Sequence, residues 1–168
     1  MTRMYNSSLD KPSLQESAIS YMASESKYSQ LVAIIGGNKA LKKDINNEMD
    51  LVAVTRVGLP KKSLDTLAKK LGVSMERMSS LLHISHRTIQ RKSPTDNLSV
   101  HVSEQILSIA EVVRKGLEVF EDDEQELEEW LHGPISSLDY KKPIDLMDTT
   151  FGTRILIKIL GRIEHGVY

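Results

Sequence analysis

The sequence predicts an all-α protein, and three observations carry that expectation. Leu64, Leu67, Ala68 and Leu71 recur at the i, i+3, i+4, i+7 spacing that lines one side of a helix. The stretch from residue 75 to 92, MERMSSLLHISHRTIQRK, reads as two short helices joined by a tight turn, with Met75, Met78, Leu81 and Leu82 turned to one side of the first. A third apolar stripe, Ile106, Ile109, Ala110, Val113, Leu117 and Phe120, marks a long helix over residues 99–120.

Taken in order, residues 1–27 are rich in Ser, Asn and Lys, and form a flexible arm or a weakly held helix. Residues 28–57 form an N-terminal helical region and the expected homodimer contact. Its apolar run at 31–35, LVAII, is short enough to fit a buried helical turn or a strand, with helix the expected form. Residues 41–45 and 49–57 are expected to be helical, the latter stopped by Gly58 and Pro60. Ser63 is the expected cap of the next helix. Gly72 ends that helix, and Ser74 caps the first member of the pair. Ser93-Pro94-Thr95-Asp96-Asn97 is turn chemistry and is expected to hinge the unit at 58–97 to a C-terminal domain at 98–168. Ser99 can cap the long helix. A shorter helix over 124–131 places Leu127, Trp130 and Leu131 on one side of an acidic surface, with Trp130 as core anchor, and Gly133-Pro134 ends it. Pro143 can occupy the first position of a helix over 143–147. The last element, FGTRILIKILGRI at 151–163, reads as a helix apolar on most sides, although its β-branched alternation also permits a strand.

The paired helices carry the functional signal. Ser85 is expected to cap the second, its hydroxyl accepting from backbone N–H groups two or three residues on, and Ile84 can staple to Ile89. With Ile89 inward, Arg87, Gln90 and Arg91 project outward together, while His86 and Thr88 fall in the first turn. That arrangement suits a helix-turn-helix recognition helix, since Arg bonds guanine O6 and N7 and Gln bonds adenine N6 and N7. Ser85, His86, Arg87, Thr88, Gln90, Arg91 and Lys92 are therefore the candidate DNA contacts. The competing reading is a surface helical hairpin with a solvated basic face. His83 occupies the turn position where such motifs often carry Gly.

Charge distribution agrees with a nucleic-acid partner although the whole chain of 168 residues has a formal charge of only -1. Residues 61–92 hold eight Lys and Arg against two acids, a balance of +6, whereas residues 118–130 hold eight acids and no Lys or Arg, a balance of -8. With 40% apolar and 27% charged residues the composition is that of an ordinary globular protein. The lack of cysteine excludes disulfides, thiolate catalysis and Cys-based zinc sites, and fits a cytoplasmic protein. No apolar run approaches the roughly 20 residues needed to span a membrane, and none marks export. Catalysis finds no support. His83, His86, His101, His132 and His165 lack metal-ligand spacing, and there is no phosphate loop, dinucleotide fingerprint or nucleophile elbow, so neither catalytic residue, metal nor cofactor is expected. The acidic run at 121–129 lacks the oxygen pattern of a calcium loop and reads as a solvated helical face.

From Gly58 onward the succession GLPKKSLDTLAKKLGVS, LLHISHRTIQRK, LEVFEDDEQELEEWL, KPIDLMDT and GRIEHGVY resembles the Xre/MbcA/ParS-like antitoxins, the partners of RES-domain toxins. The helix-turn-helix segment alone is generic; KPIDLMDT followed by GRIEHGVY is much more specific. Departures are His83 in the turn and Tyr140-Lys141 where a Gly is commoner. The resemblance implies a central Xre-like helix-turn-helix unit followed by a small helical toxin-binding domain. It implies a chain that blocks the active site of a toxin consuming NAD and represses its own operon, with the C-terminal domain in the toxin's NAD-binding cleft. Arg154, Lys158, Arg162, Glu164, His165, Gly166, Val167 and Tyr168 are the candidate toxin contacts, while Ile155, Leu156, Ile159, Leu160 and Ile163 are expected to complete the core. Gly166-Val167-Tyr168 lies beyond any apolar period and is expected to be dispensable for folding. The other functional reading is a stand-alone helix-turn-helix regulator whose C-terminal domain senses something else.

Overall fold

The computed structural model describes residues 27–167. Residues 1–26 of the expected N-terminal arm and Tyr168 therefore lie outside the described residues, while Lys27 is the first residue of the first helix. A helix over residues 27–34 (α1) is followed by α2 (Gly37–Leu41), α3 (Glu48–Val57), α4 (Lys61–Lys70), α5 (Met75–Leu81), α6 (His86–Gln90), α7 (Val100–Val119) and α8 (Glu124–His132). Two 3-10 segments, Ser136–Leu138 and Pro143–Asp148, lead into α9 (Thr150–Glu164). Among the described residues there is no strand, only isolated bridges at Pro60 with Asn97 and Ile135 with Lys141. The run at 31–35, left open to strand by its shortness, lies in a helix through Ile34 and turns at Ile35, and the run at 151–163, left open by its alternation, is helical throughout.

Most boundaries follow from local chemistry. Asn47, Ser74, Ser99, Asp123 and Thr149 each accept a backbone N–H from the first turn of the helix they precede. Gly58, at φ 94, ends α3, and a Cβ there would lie 2.1 Å from the Leu98 carbonyl oxygen, so no other residue fits that crossing. The expected helix at 41–45 sits elsewhere. α2 already ends at Leu41, where Lys42 turns left-handed at φ 54, and the chain then stays non-helical until the Asn47 cap. Ser63 is not a cap. α4 begins earlier, after Pro60, and Ser63 is fully buried in its first turn. No side-chain cap is needed because Lys61 N donates to the Asp96 carbonyl and Lys62 N to the Pro94 carbonyl, each at 2.9 Å.

Those bonds also correct the expected hinge. Leu98 N donates to Leu59 O at 2.9 Å and Lys92 Nζ to Asn97 O at 2.9 Å, so residues 93–97 form a strap pinned across the start of α4. α7 is the axle of the molecule. Ile106, Ile109, Ala110, Val112 and Val113 are inaccessible to solvent. Their surroundings form one apolar cluster that takes in Leu64, Leu67 and Met78 from the helix-turn-helix as well as Leu156 and Leu160 from α9. α9 runs along α7, and its start is tight: a Cβ on Gly152 would fall 1.8 Å from the Leu146 carbonyl oxygen. Trp130 is a rim residue rather than a core anchor, half-buried with its ring tilted at 52° to Phe120, centroids 6.1 Å apart.

Candidate functional site

Two surfaces gather the candidate residues. The first is built by α5 and α6. Met78, Leu81, Leu82 and Ile89 are buried against the α7 cluster, which orients α6 by its single inward side chain, Ile89. Ser85 precedes α6 in extended geometry, but its side chain makes no capping bond; Thr88 N and Ile89 N bond to its main-chain carbonyl, at 2.9 and 3.2 Å. Ser85, Arg87, Thr88, Gln90 and Arg91 are exposed together and His86 is half-buried. Lys92 is turned back to the Asn97 carbonyl.

The charge of the basic segment is partly used inside the fold. Lys61 pairs with Asp65 at 3.0 Å, Lys70 with Glu124 of the acidic helix α8, and Arg77 with Asp145. Arg87 and Arg91, like the exposed Lys62 and Lys69, have no ion-pair partner among the described residues, and they are the two such cations that α6 and its C-terminal end present beside Gln90.

The turn before α6 is joined directly to the C-terminal half. His83 adopts φ 52, a left-handed conformation, and its Nε2 lies 3.0 Å from the Asp148 carbonyl oxygen at the end of the Pro143–Asp148 segment. The same oxygen accepts from Gln105 Nε2 at 3.0 Å, and Gln105 Nε2 also reaches the Leu81 carbonyl at 3.2 Å. Sequence reasoning missed Gln105. Its signal was a lone amide between Val102 and Ile106 on a helix otherwise apolar at those positions.

The second surface is α9. Leu156, Ile159 and Leu160 are buried while Ile155, Ile157 and Ile163 are half-covered, so the broad apolar circumference divides between core and margin. Arg154, Lys158 and Arg162 stand exposed at four-residue steps, a single cationic row. Phe151, which sequence reasoning counted toward the apolar row, is 72% exposed one turn before it. Glu164 belongs to the fold as much as to the surface, since Lys115 Nζ of α7 holds its carboxylate at 2.7 Å. Lys115 also reaches Glu118 at 3.3 Å, and Arg114 Nη1 bonds Glu118 at 2.8 Å. Burial alone would raise the Glu118 carboxyl, but the hydrogen bonds from Arg114 and Lys115 outweigh it and hold the pKa below the usual glutamate value.

The C-terminal residues are not free of the fold. Gly166, at φ 66, donates its N–H to Ile163 O at 2.9 Å, and Val167 N donates to Arg162 O at 2.9 Å. These two bonds are a Schellman closure of α9, which needs a left-handed residue one beyond His165, and Gly supplies it. The expectation that this tail plays no part in folding is corrected for Gly166 and Val167. Asp139 and Tyr140 are also left-handed, at φ 52 and 59, and Tyr140 is 76% exposed. Among the described residues no group of His, Asp or Glu could hold a metal ion, and no helix is long and apolar enough to cross a membrane.

Comparison with known proteins finds two family matches that meet within α7. Residues 50–111 match the model of the antitoxin Xre-like helix-turn-helix domain, and residues 115–166 match that of the antitoxin Xre/MbcA/ParS C-terminal toxin-binding domain. A protein of Sphingobium sp. (strain YBL2) named a Prs ADP-ribosylating antitoxin is 26% identical over 129 residues, 71% of this chain and 81% of that protein. An antitoxin Xre of Photorhabdus laumondii is 25% identical over 118 residues, 70% of this chain and 80% of that protein. An antitoxin Xre of Yersinia enterocolitica is 24% identical over 119 residues, with 70% and 80% covered.

Proposed function

Because the chain belongs to the Xre/MbcA/ParS antitoxin family, we propose that it binds and blocks the active site of a cognate RES-domain toxin that consumes NAD, and represses its own operon. The observation that carries the reading is the match of residues 115–166 to a toxin-binding domain whose helix α9 presents an exposed cationic row. The name of the Sphingobium relative points to ADP-ribosylation, a transfer that draws its group from NAD, and supports the choice of toxin chemistry. Arg154, Lys158, Arg162, His165, Gly166, Val167 and Tyr168 are the proposed toxin contacts, with Glu164 shared between toxin and Lys115. The protein acts in the cytoplasm and has no catalytic chemistry of its own.

On DNA, the chain works as a homodimer through Ser85, His86, Arg87, Thr88, Gln90, Arg91 and Lys92. α6 is five residues long, a footprint too small to specify an operator alone. Two copies reading an inverted repeat, with half-sites roughly one helical turn apart, supply the rest.

The first test is co-expression with the adjacent gene product. Rescue of cells from a neighbouring RES-type toxin supports the antitoxin reading; no rescue, with a metabolic gene next door, supports a stand-alone regulator. The second test concerns α6. Arg87→Ala and Arg91→Ala are each expected to weaken operator binding by about 1–3 kcal/mol if the side chain meets a base, with melting temperature unchanged because both side chains are exposed. Operator binding by both variants at parental strength in moderate salt would assign recognition elsewhere.

A further inference from the structure

α3 is built the wrong way round for a helix that serves only its own core. Met49, Val52, Ala53, Arg56 and Val57 fall at i, i+3, i+4, i+7 and i+8, the spacing of a core-facing stripe, yet all five are exposed. Met49 is 70% and Val57 68% exposed. What α3 buries is the opposite side, Val54 and Thr55, against α7. Beside the stripe the groove between α3 and α7 is lined by Val52 and Arg56 on one wall and by Val100, Glu104 and Leu107 on the other. Val100 is itself a large exposed apolar side chain. An apolar helix face at core spacing, left in water, marks a contact with another macromolecule.

The arrangement along α3 identifies that macromolecule. The stripe is symmetric in sequence about Ala53: Met49 and Val57 stand four residues to either side, Asp50 and Arg56 three residues to either side. A second α3 laid antiparallel across the first would therefore set Met49 against Val57 and Arg56 against Asp50. The small side chain of Ala53 lies at the two-fold axis, where the helices must approach most closely. Arg56 has no ion-pair partner among the described residues, whereas Asp50 carries Lys43 at 3.3 Å and accepts Asn46 N at 3.2 Å and still has its carboxylate partly open. Shape and charge are thus complementary between the stripe and its own reversed copy, as an isologous contact requires.

We propose that the exposed stripe of α3 is the homodimer seam, with two copies packed antiparallel about Ala53. This rests on the homodimer reading above and gives it a surface. Because α3 leads through Gly58 and Pro60 into α4, the seam lies directly beside the helix-turn-helix and so governs the spacing of the two α6 helices.

Ala53→Glu and Ala53→Lys test it on the full-length protein. Both residues are good helix formers and position 53 is exposed, so each variant should keep the parent's far-UV circular dichroism spectrum, with a melt lowered only by the contribution of the lost dimer. By sedimentation, each variant alone is expected to dissociate, its dimer constant weakened on the order of a hundredfold, because like charges meet across the axis. An equal mixture of the two is expected to recover the dimer, since Glu then faces Lys, and to recover operator binding with it. A parent protein that sediments as a monomer overturns the homodimer reading and the seam together. Variants that remain dimeric overturn the seam alone and leave the homodimer standing. Variants that separate but do not re-pair when mixed overturn the two-fold arrangement. Loss of toxin capture by a variant that is still dimeric assigns the stripe to the toxin and overturns the proposal as well.

Discussion

At the scale of the residue, His83 shows how an unfavourable backbone position can be kept. A left-handed φ costs a side-chain-bearing residue roughly 1–2 kcal/mol relative to Gly, and His83 occupies one at φ 52. Its ring is exposed but reaches the Asp148 carbonyl at 3.0 Å, a bond that contributes about 0.5–1.5 kcal/mol. Replacement by Ala retains the strain and deletes the bond, whereas replacement by Gly removes both. His83→Ala is therefore expected to unfold at lower urea than His83→Gly, the difference corresponding to about 1 kcal/mol. Equal losses for the two variants would show that backbone strain at position 83 carries no weight. The expectation of Gly in this turn was sound as conformational reasoning. It could not foresee an acceptor brought to His83 from 65 residues away.

At the scale of the element, apolar spacing gave away every helix with a continuous stripe on one side. α4, α5, α7 and α9 lie where Leu64, Met78, Ile106 and Leu156 said they should, and the caps Ser74 and Ser99 were readable because their bonds are local. Ser63 and Ser85 misled because the first-turn N–H groups of their helices find carbonyl partners: those of α4 on the distant strap, those of α6 on the Ser85 main chain. Periodicity is also blind to direction. The stripe of α3 has core spacing yet faces out, and that depends on what other elements leave uncovered. The end of α9 was misjudged for a related reason, since its Schellman bonds involve backbone atoms that no apolar period reports. Deleting residues 164–168 removes those two bonds and the Lys115–Glu164 pair. With about 0.5–1 kcal/mol for the cap and at most about 1 kcal/mol for a partly exposed ion pair, the loss should total about 0.5–2 kcal/mol, a fall in Tm of roughly 1–8 °C. Operator binding is expected to survive that deletion, while protection against the toxin is expected to be lost. An unshifted melt would return the tail to solvent. Full protection would move inhibition elsewhere on the surface, the acidic face of α8 being the next candidate.

At the scale of the whole molecule, the DNA-reading and toxin-binding halves have little material with which to fold apart. α7 presents Ile106, Ile109 and Val113 to one cluster that includes Leu67 and Met78 from one half and Leu156 and Leu160 from the other. Gln105 joins the Leu81 and Asp148 carbonyls across the same boundary, Arg77 pairs with Asp145, and Lys70 with Glu124. Without α7 and α9 the three short helices α4 to α6 would expose most of the apolar face that holds α6 in place, and helices of five to ten residues are not stable on their own. The chain is therefore expected to unfold as one unit. Trp130, the single tryptophan, sits against Phe120 and reports the junction of α7 and α8 by fluorescence; far-UV circular dichroism reports all helices; operator binding reports α6. In a urea titration the three signals should share one midpoint within error, and Ile109→Ala should move all three together by the amount typical of an emptied core site, about 2–5 kcal/mol. Loss of operator binding well before the tryptophan transition, at urea concentrations where sedimentation still finds the dimer, would mean that the helix-turn-helix opens on its own, and that α7 supports the two halves without coupling them.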